Sequence, residues 1–237
     1  MALFHGRDRV RFQDPLNLVP RVLKKLYSMW VSMTYPFPSK GRKLSIHYTC
    51  ILERSTAHRM KLGNYVSFHK DCSIYVLNVS SPEEKGEPII IIDDYCTIAQ
   101  RCQIGARNLI HIERDVIFSA SALVVDHLHG YEDVTLPIRE QGATKGGRIR
   151  IGQGCWIGQG AAIICDKGEL ILGRNCVVAA NAVVTRSFPP YSVIAGNPAR
   201  VVKQFDPVKG VWVLGACRRE LADADKQDPG TTDSVQS

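Results

Sequence analysis

The sequence predicts a mainly β protein: one chain wound as a single-stranded parallel β-helix of six-residue repeats, with a short helix before the coil and a flexible polar tail after it. Three observations carry this. Large apolar residues recur at every sixth position, they do so in runs of three, and polar segments separate the runs without interrupting them.

The runs are Leu62, Phe68 and Ile74; Ile92, Ile98 and Ile104; Ile112, Phe118 and Val124; Ile151, Ile157 and Ile163; and Leu172, Val178 and Val184. Runs of three are expected where three short strands make one triangular turn. The second position of the repeat is often small, as at Gly63, Ala99, Gly152, Gly158 and Ala179, which suits a tight corner. The fifth position is small to medium and mostly apolar. Cys72, Cys96, Cys102, Cys155 and Cys176 all fall there, so they read as core filler and not as ligands or nucleophiles. The ladder opens at residues 79–91 and again at 130–150, and long loops on a rigid scaffold usually carry function.

Ahead of the coil, Asp14-Pro15 can start a helix. Leu16, Val19, Leu23, Leu26, Trp30 and Met33 follow at spacings of three and four, and Pro36 and Pro38 stop it. Packing against the first coil is the expectation for residues 14–35, with contact to a membrane surface as the alternative. The domain boundaries are therefore residues 1–60 for helix and lead-in, 61–204 for the coil, and 205–237 for a C-terminal extension. That extension holds one apolar patch at Val211–Leu214 and a disordered tail.

Bulk properties narrow the function classes. The chain has 237 residues, 45% hydrophobic and 22% charged, as an ordinary globular protein does. The net charge of +7 would suit nucleic acid, a membrane surface or an anionic ligand. Its cations are dispersed and no nucleic-acid motif accompanies them, so a phosphate-bearing small molecule is the expected partner and nucleic acid is not. The eight cysteines show no CxxC spacing, and residues 1–12 carry Arg7, Asp8, Arg9 and Arg11 with no apolar stretch. A cytoplasmic, at most membrane-peripheral, setting is expected.

The chemistry concentrates at Asp126-His127-Leu128-His129, which ends the third run just as the long loop begins. An imidazole at a strand end beside a covering loop is well placed as a general base near neutral pH. His129 and Tyr131 lie at the mouth of the same loop and are assigned, with Asp126, to an acceptor pocket. Asp126, Glu132 and Asp133 are each able to orient an imidazole, and the sequence does not choose among them. Gly158, Gly160, Ala161, Ala179 and Ala180 leave room for a thin ligand along the coil.

With these motifs the chain resembles the hexapeptide-repeat, left-handed β-helix acyltransferases, in particular the branch of maltose, galactoside, nodulation-factor and polysaccharide O-acetyltransferases. The resemblance covers about residues 60–204. It rests on the ladder, the histidine before a loop, Cys155-Trp156-Ile157-Gly158, and the closing run from Val183 to Lys203 that contains Ala195-Gly196-Asn197-Pro198-Ala199-Arg200. It implies a left-handed coil and a homotrimer with active sites between subunits. It further implies acetyl-CoA as co-substrate without a metal, and transfer of an acetyl group to a hydroxyl of a carbohydrate such as a surface-polysaccharide precursor. His127 matches the catalytic histidine. Ala180 and Thr185 match contacts to the pantetheine arm, while Arg186, Arg200 and Lys203 match cations that meet the nucleotide phosphates. Trp156 lies near the cofactor channel with Gly158 and Ala161, and Gln159 fills a slot where relatives often carry a smaller residue.

Three alternatives remain: an amino-sugar N-acetyltransferase, a non-catalytic scaffold, and a gamma-type carbonic anhydrase. The last needs three histidines around zinc. His127 and His129 lie only two apart, and His111 is not matched by a suitable pair.

Overall fold

The computed structural model describes residues 18–77 and 86–214. Residues 14–17 of the expected helix, most of the 79–91 loop and the tail from 215 onward lie outside the described residues.

The chain climbs through six triangular turns, each of three short strands, and equivalent strands stack in parallel on three faces. The first face stacks Ser39–Lys40, Met60–Leu62, Ile90–Ile92, Leu109–Ile112, Arg148–Ile151 and Glu169–Leu172. The second stacks Ser45–Ile46, Ser67–Phe68, Thr97–Ile98, Ile117–Phe118, Trp156–Ile157 and Val177–Val178. The third stacks Ile51–Leu52, Ser73–Val76, Gln103–Ala106, Leu123–Val125, Ala162–Ile164 and Val183–Val184. All fifteen apolar positions of the predicted ladder point inward and are at most 2% exposed. The register joins them column by column, as in Phe68↔Ile98 and Ile98↔Phe118.

The coil begins one turn before the predicted boundary at residue 61, with Lys40, Ile46 and Leu52 in the same phase. Lys40 hid that turn. It lies in the bottom layer, where nothing below demands an apolar residue, and it is exposed. The boundary at residue 204 also moves. Arg200–Asp206 is one strand, antiparallel to Ser192–Ala195 on one side and to Val211–Leu214 on the other. The apolar patch at residues 211–214 is therefore the last strand of a sheet, and Trp212 meets the Phe205 ring edge-on at 5.5 Å.

The corners separate into two kinds. Between first and second faces, and between second and third, four residues always intervene. The fourth position of the repeat turns the chain there with positive φ: Lys43, Tyr65, Asp71, Tyr95, Arg101, Asp115, Ser121, Asn175 and Asn181, with Gly154 and Gly160. The conformational demand thus falls on the fourth position and not on the small second one. The second position is small because the next turn lies against it: a Cβ on Gly158 would come within 2.6 Å of Ala180 N. The third corner, between third and first faces, is where the chain leaves the coil. The segments 53–59, 126–147 and 165–168 exit there, and the chain after Val76 leaves the coil at the same corner before Ile90.

The fifth position closes the core, and Cys50 joins the five cysteines already assigned to it. Each points its thiol at a carbonyl of the following turn: Cys72 at Ala99 O (3.0 Å), Cys96 at Glu113 O (3.1 Å), Cys102 at Ser119 O (3.0 Å) and Cys155 at Gly173 O (3.1 Å). A buried thiol can fill a small slot and donate weakly to a carbonyl, which alanine cannot do. The seven described cysteines are all buried and none is in a disulfide.

The N-terminal helix, α1 (Leu18–Thr34), packs on the first turn, but not by the expected stripe. Its buried residues are Ser28 and Val31, and Ser28 Oγ donates to Ile46 O at 3.0 Å and accepts from Ile46 N at 2.8 Å. Val19, Leu23, Leu26, Trp30 and Met33 instead stand 47–76% exposed.

Candidate active site

Asp126 and His127 sit where the third face ends and the long segment leaves the coil. A strand ordinarily sends consecutive side chains to opposite faces. The strand ends at Val125, so Asp126 turns back into the corner and is fully buried.

A carboxylate taken from water must recover its lost hydrogen bonds. Asp126 Oδ1 accepts from Arg107 N at 2.6 Å, and Oδ2 accepts from Asn108 N at 2.8 Å and Leu109 N at 2.9 Å. Arg107 and Asn108 form the short link between third and first faces one turn below, and Leu109 opens the strand that follows it. Asp126 therefore stitches two turns together at the corner. Its carboxylate is fully buried, with both oxygens taken up by these donors.

The same Oδ1 lies 3.1 Å from His127 Nδ1. Both carboxylate oxygens act as acceptors here, so Nδ1 is the donor in this contact, and in the neutral ring Nε2 carries the lone pair. The imidazole is only 11% exposed, and its ring meets Tyr75 edge-on with centroids 6.3 Å apart. Burial and the neighbouring Asp126 carboxylate push the Tyr75 phenol above its ordinary range. Tyr75 lies one turn below Gly105, its register partner, and its ring covers that glycine: a Cβ there would come within 2.8 Å of Tyr75 Cε2. The pattern had not singled out Tyr75, since it occupies an outward position of the ladder. The signal available was Gly105, a glycine inside a strand, which marks a close approach.

Glu132 and Asp133 lie out on the loop. Asp133 accepts from Thr135 N at 2.9 Å and Thr135 Oγ1 at 2.6 Å, a local turn that draws its carboxyl below the usual range. His129 is exposed and its backbone bridges Ala143. Tyr131, 61% exposed, lines a loop cavity of about 590 Å³ with Glu132, Leu136, Gln141, Lys145 and Lys167. His127 does not line it.

The residues matched to the cofactor divide into groups. Thr185 and Arg186 follow the top strand of the third face, two turns above His127 on the same corner. At the usual interstrand spacing this is a separation of about 10 Å. Gln159 and Ala180 are exposed at the opposite edge of that face. Trp156 projects from the second face and donates from Nε1 to Ser119 Oγ at 2.9 Å. Arg200 and Lys203 are exposed on the hairpin strand, and the Arg186 guanidinium lies over the Phe188 ring at 5.3 Å. Among the described residues none of these three cations makes an ion pair. Ala161 is a fully buried fifth-position residue, and its methyl belongs to the core. Gly158 is buried as well, under Ala180.

Among the described residues no group of three or more His, Cys, Asp and Glu side chains is placed to hold a metal. His111 Nε2 is instead 3.0 Å from Asp93 Oδ2. No described helix is long and apolar enough to cross a membrane.

The same coil is found in a solved acyltransferase. The chain superimposes on a point mutant of AntD, an N-acyltransferase from Bacillus cereus in complex with dTDP and coenzyme A. The match has a TM-score of 0.59 and 15% identity, over 84% of this chain and 95% of that one. By sequence it is 38% identical over 128 residues to "Probable acetyltransferase Rv3034c" of Mycobacterium tuberculosis, covering 51% of this chain and 40% of the relative. It is 26% identical over 133 residues to "Putative lipopolysaccharide biosynthesis O-acetyl transferase WbbJ" of Escherichia coli, covering 54% and 66%. The chain thus spans less than two thirds of the length of these curated relatives. No family model matches it. The resemblance read from the ladder and its closing motif is borne out: the relatives are named acetyltransferases.

Proposed function

We propose that the chain is an acetyl-CoA-dependent O-acetyltransferase acting on a carbohydrate hydroxyl, with His127 as general base. The observation that carries this is the buried Asp126 carboxylate on His127 Nδ1, which fixes the ring and leaves Nε2 as the basic nitrogen. The acceptor hydroxyl would give its proton to Nε2 while its oxygen bonds to the thioester carbonyl carbon. The carbon–sulfur bond would then break, and the departing thiolate would take that proton. Thr185 and Arg186 on the same corner, with Arg200 and Lys203 beyond, supply a surface that suits the co-substrate's phosphates.

The division of the matched residues between two edges of the third face supports a homotrimer. In such an assembly Trp156, Gln159 and Ala180 of one copy would complete the corner of the next. His129 and Tyr131 are proposed to border the acceptor. An amino-sugar acceptor is the second reading, favoured by the fold shared with an N-acyltransferase.

The outward apolar stripe of α1 supports a peripheral membrane contact. Eight large apolar residues, Leu18, Val19, Val22, Leu23, Leu26, Met29, Trp30 and Met33, are 47–76% exposed there. The helix carries Arg21, Lys24 and Lys25 and no acid, a composition suited to an anionic lipid surface.

The test of the activity is thiol release from acetyl-CoA across a panel of sugars and amino sugars, wild type against His127→Ala. Loss of the base should lower turnover by about 10²–10⁴-fold. Equal release by both proteins on the best acceptor would remove His127 from the role.

A further inference from the structure

A second cavity, of about 430 Å³, opens at the same corner on its first-face side, and Arg59, Arg107 and Arg148 line it. Among the described residues none of the three is in an ion pair. Arg59 Nε donates to Glu87 O at 3.0 Å and Arg107 Nη1 to Ala143 O at 3.2 Å. Each contact holds a guanidinium through one nitrogen, and among the described residues no ion pair engages the others. Glu169 is the register partner of Arg148 on the adjacent strand, yet the two make no ion pair.

Three glycines leave backbone open to the cavity, beside Ile89 and Asn108. Gly146, Gly147 and Gly168 line it, and a Cβ on Gly146 would come within 2.8 Å of both Asn108 Nδ2 and Asp126 O. The glycines thus leave room for a ligand beside three cations. Like charges that are not ion-paired repel, and an anion that enters relieves this repulsion and accepts paired N–H donors.

The cavity is joined to the proposed base through one residue. Arg107 N at 2.6 Å and His127 Nδ1 at 3.1 Å share Asp126 Oδ1, and Gly147 N donates to Asp126 O at 2.7 Å. A group held by these arginines therefore has a fixed relation to the imidazole.

We propose that Arg59, Arg107 and Arg148 form a phosphate-binding site. Resting on the acyl-transfer reading above, this site holds a phosphate or pyrophosphate of the acceptor. The acceptor is then a phosphorylated sugar and not a neutral one. The site is distinct from Arg186, Arg200 and Lys203, which lie on the upper turns and the hairpin.

The test is calorimetric titration of the full chain with inorganic pyrophosphate, for wild type, R148Q, R148K and R59Q/R148Q, each checked for folding by circular dichroism. Wild type should bind. Affinity should fall about tenfold in R148Q and roughly a hundredfold in the double variant, since each removes a charge-assisted contact. R148K, which keeps charge but loses the planar fork, should fall between wild type and R148Q. If the double variant does not fold, R148Q and R148K alone decide. No binding by wild type, or the same affinity in folded variants, overturns the site. Repeating the titration at saturating CoA separates the two sources of phosphate. Binding beside CoA supports the acceptor assignment, and displacement by CoA overturns it. Titration needs no turnover, so pyrophosphate held by these arginines in a chain that transfers no acyl group would retain the site and reject the activity.

Discussion

Asp126 Oδ1 lies 3.1 Å from His127 Nδ1, and the carboxylate that orients the imidazole is also what ties its corner to the turn below. The two duties cannot be separated by substitution. Asp126→Asn would place an amide NH₂ against one set of backbone donors. Leaving such buried groups unpaired costs about 1–3 kcal/mol. We therefore expect a lower Tm and a lower kcat together in Asp126→Asn, whereas His127→Ala should lose kcat with Tm nearly unchanged. Thermal unfolding and kinetics of the two variants decide this, and an unchanged Tm in Asp126→Asn would contradict the stitch.

Gly105 and Tyr75 form a second linked pair. Gly105→Ala forces the ring that covers it to move, and overpacking of this kind costs about 1–3 kcal/mol. Tyr75→Ala makes room, so the double variant should recover part of the loss from Gly105→Ala. Denaturant titration of the four proteins as a double-mutant cycle measures the coupling. Strict additivity would show that the ring does not hold the glycine's place.

The core cysteines should resist modification. Burial pushes the Cys96 thiol up to about 12, and Cys102 is raised for the same reason. A thiol whose folded pKa is raised stays protonated below its unfolded value near 8.5, and the associated stability is lost only as pH climbs toward the folded value. At pH 8 a thiol-reactive dye should therefore label these two residues only after denaturant is added. Rapid labelling of either in the native protein, read by mass spectrometry, would count against a closed core.

For α1 the measurement is co-sedimentation with vesicles. Binding should be present with vesicles containing about one-third anionic lipid and weak with neutral ones. It should drop in a Leu26→Glu/Trp30→Glu variant, whose substitutions fall on exposed positions and leave Ser28 and Val31 in place. Equal sedimentation of that variant would detach the stripe from lipid.

Much of the architecture was legible because a stacked coil repeats its demands at fixed intervals. Phe68, Ile98 and Phe118 can be placed on one column from spacing alone, and Cys72 and Cys102 on another. What stayed hidden depended on contacts between turns. The choice of Asp126 over Glu132 and Asp133 depends on backbone donors at residues 107–109, which no local pattern reveals. Tyr75 meets His127 only because one turn lies on another. The helix was found but its orientation was not. Periodicity marks an apolar stripe without saying what covers it, and Ser28 rather than Leu26 makes the anchoring contact.

Two corners of the coil keep a constant four-residue link, while every excursion leaves from the third. Chain can therefore be inserted or removed at that one edge without shifting the register of any strand. Doubling the length of a flexible loop costs only about 0.6 kcal/mol in closure entropy. Ligand preference and structural integrity can thus diverge independently: grafting a foreign segment between Val125 and Arg148 is the route by which such a scaffold could be redirected to new molecules, in nature or by design.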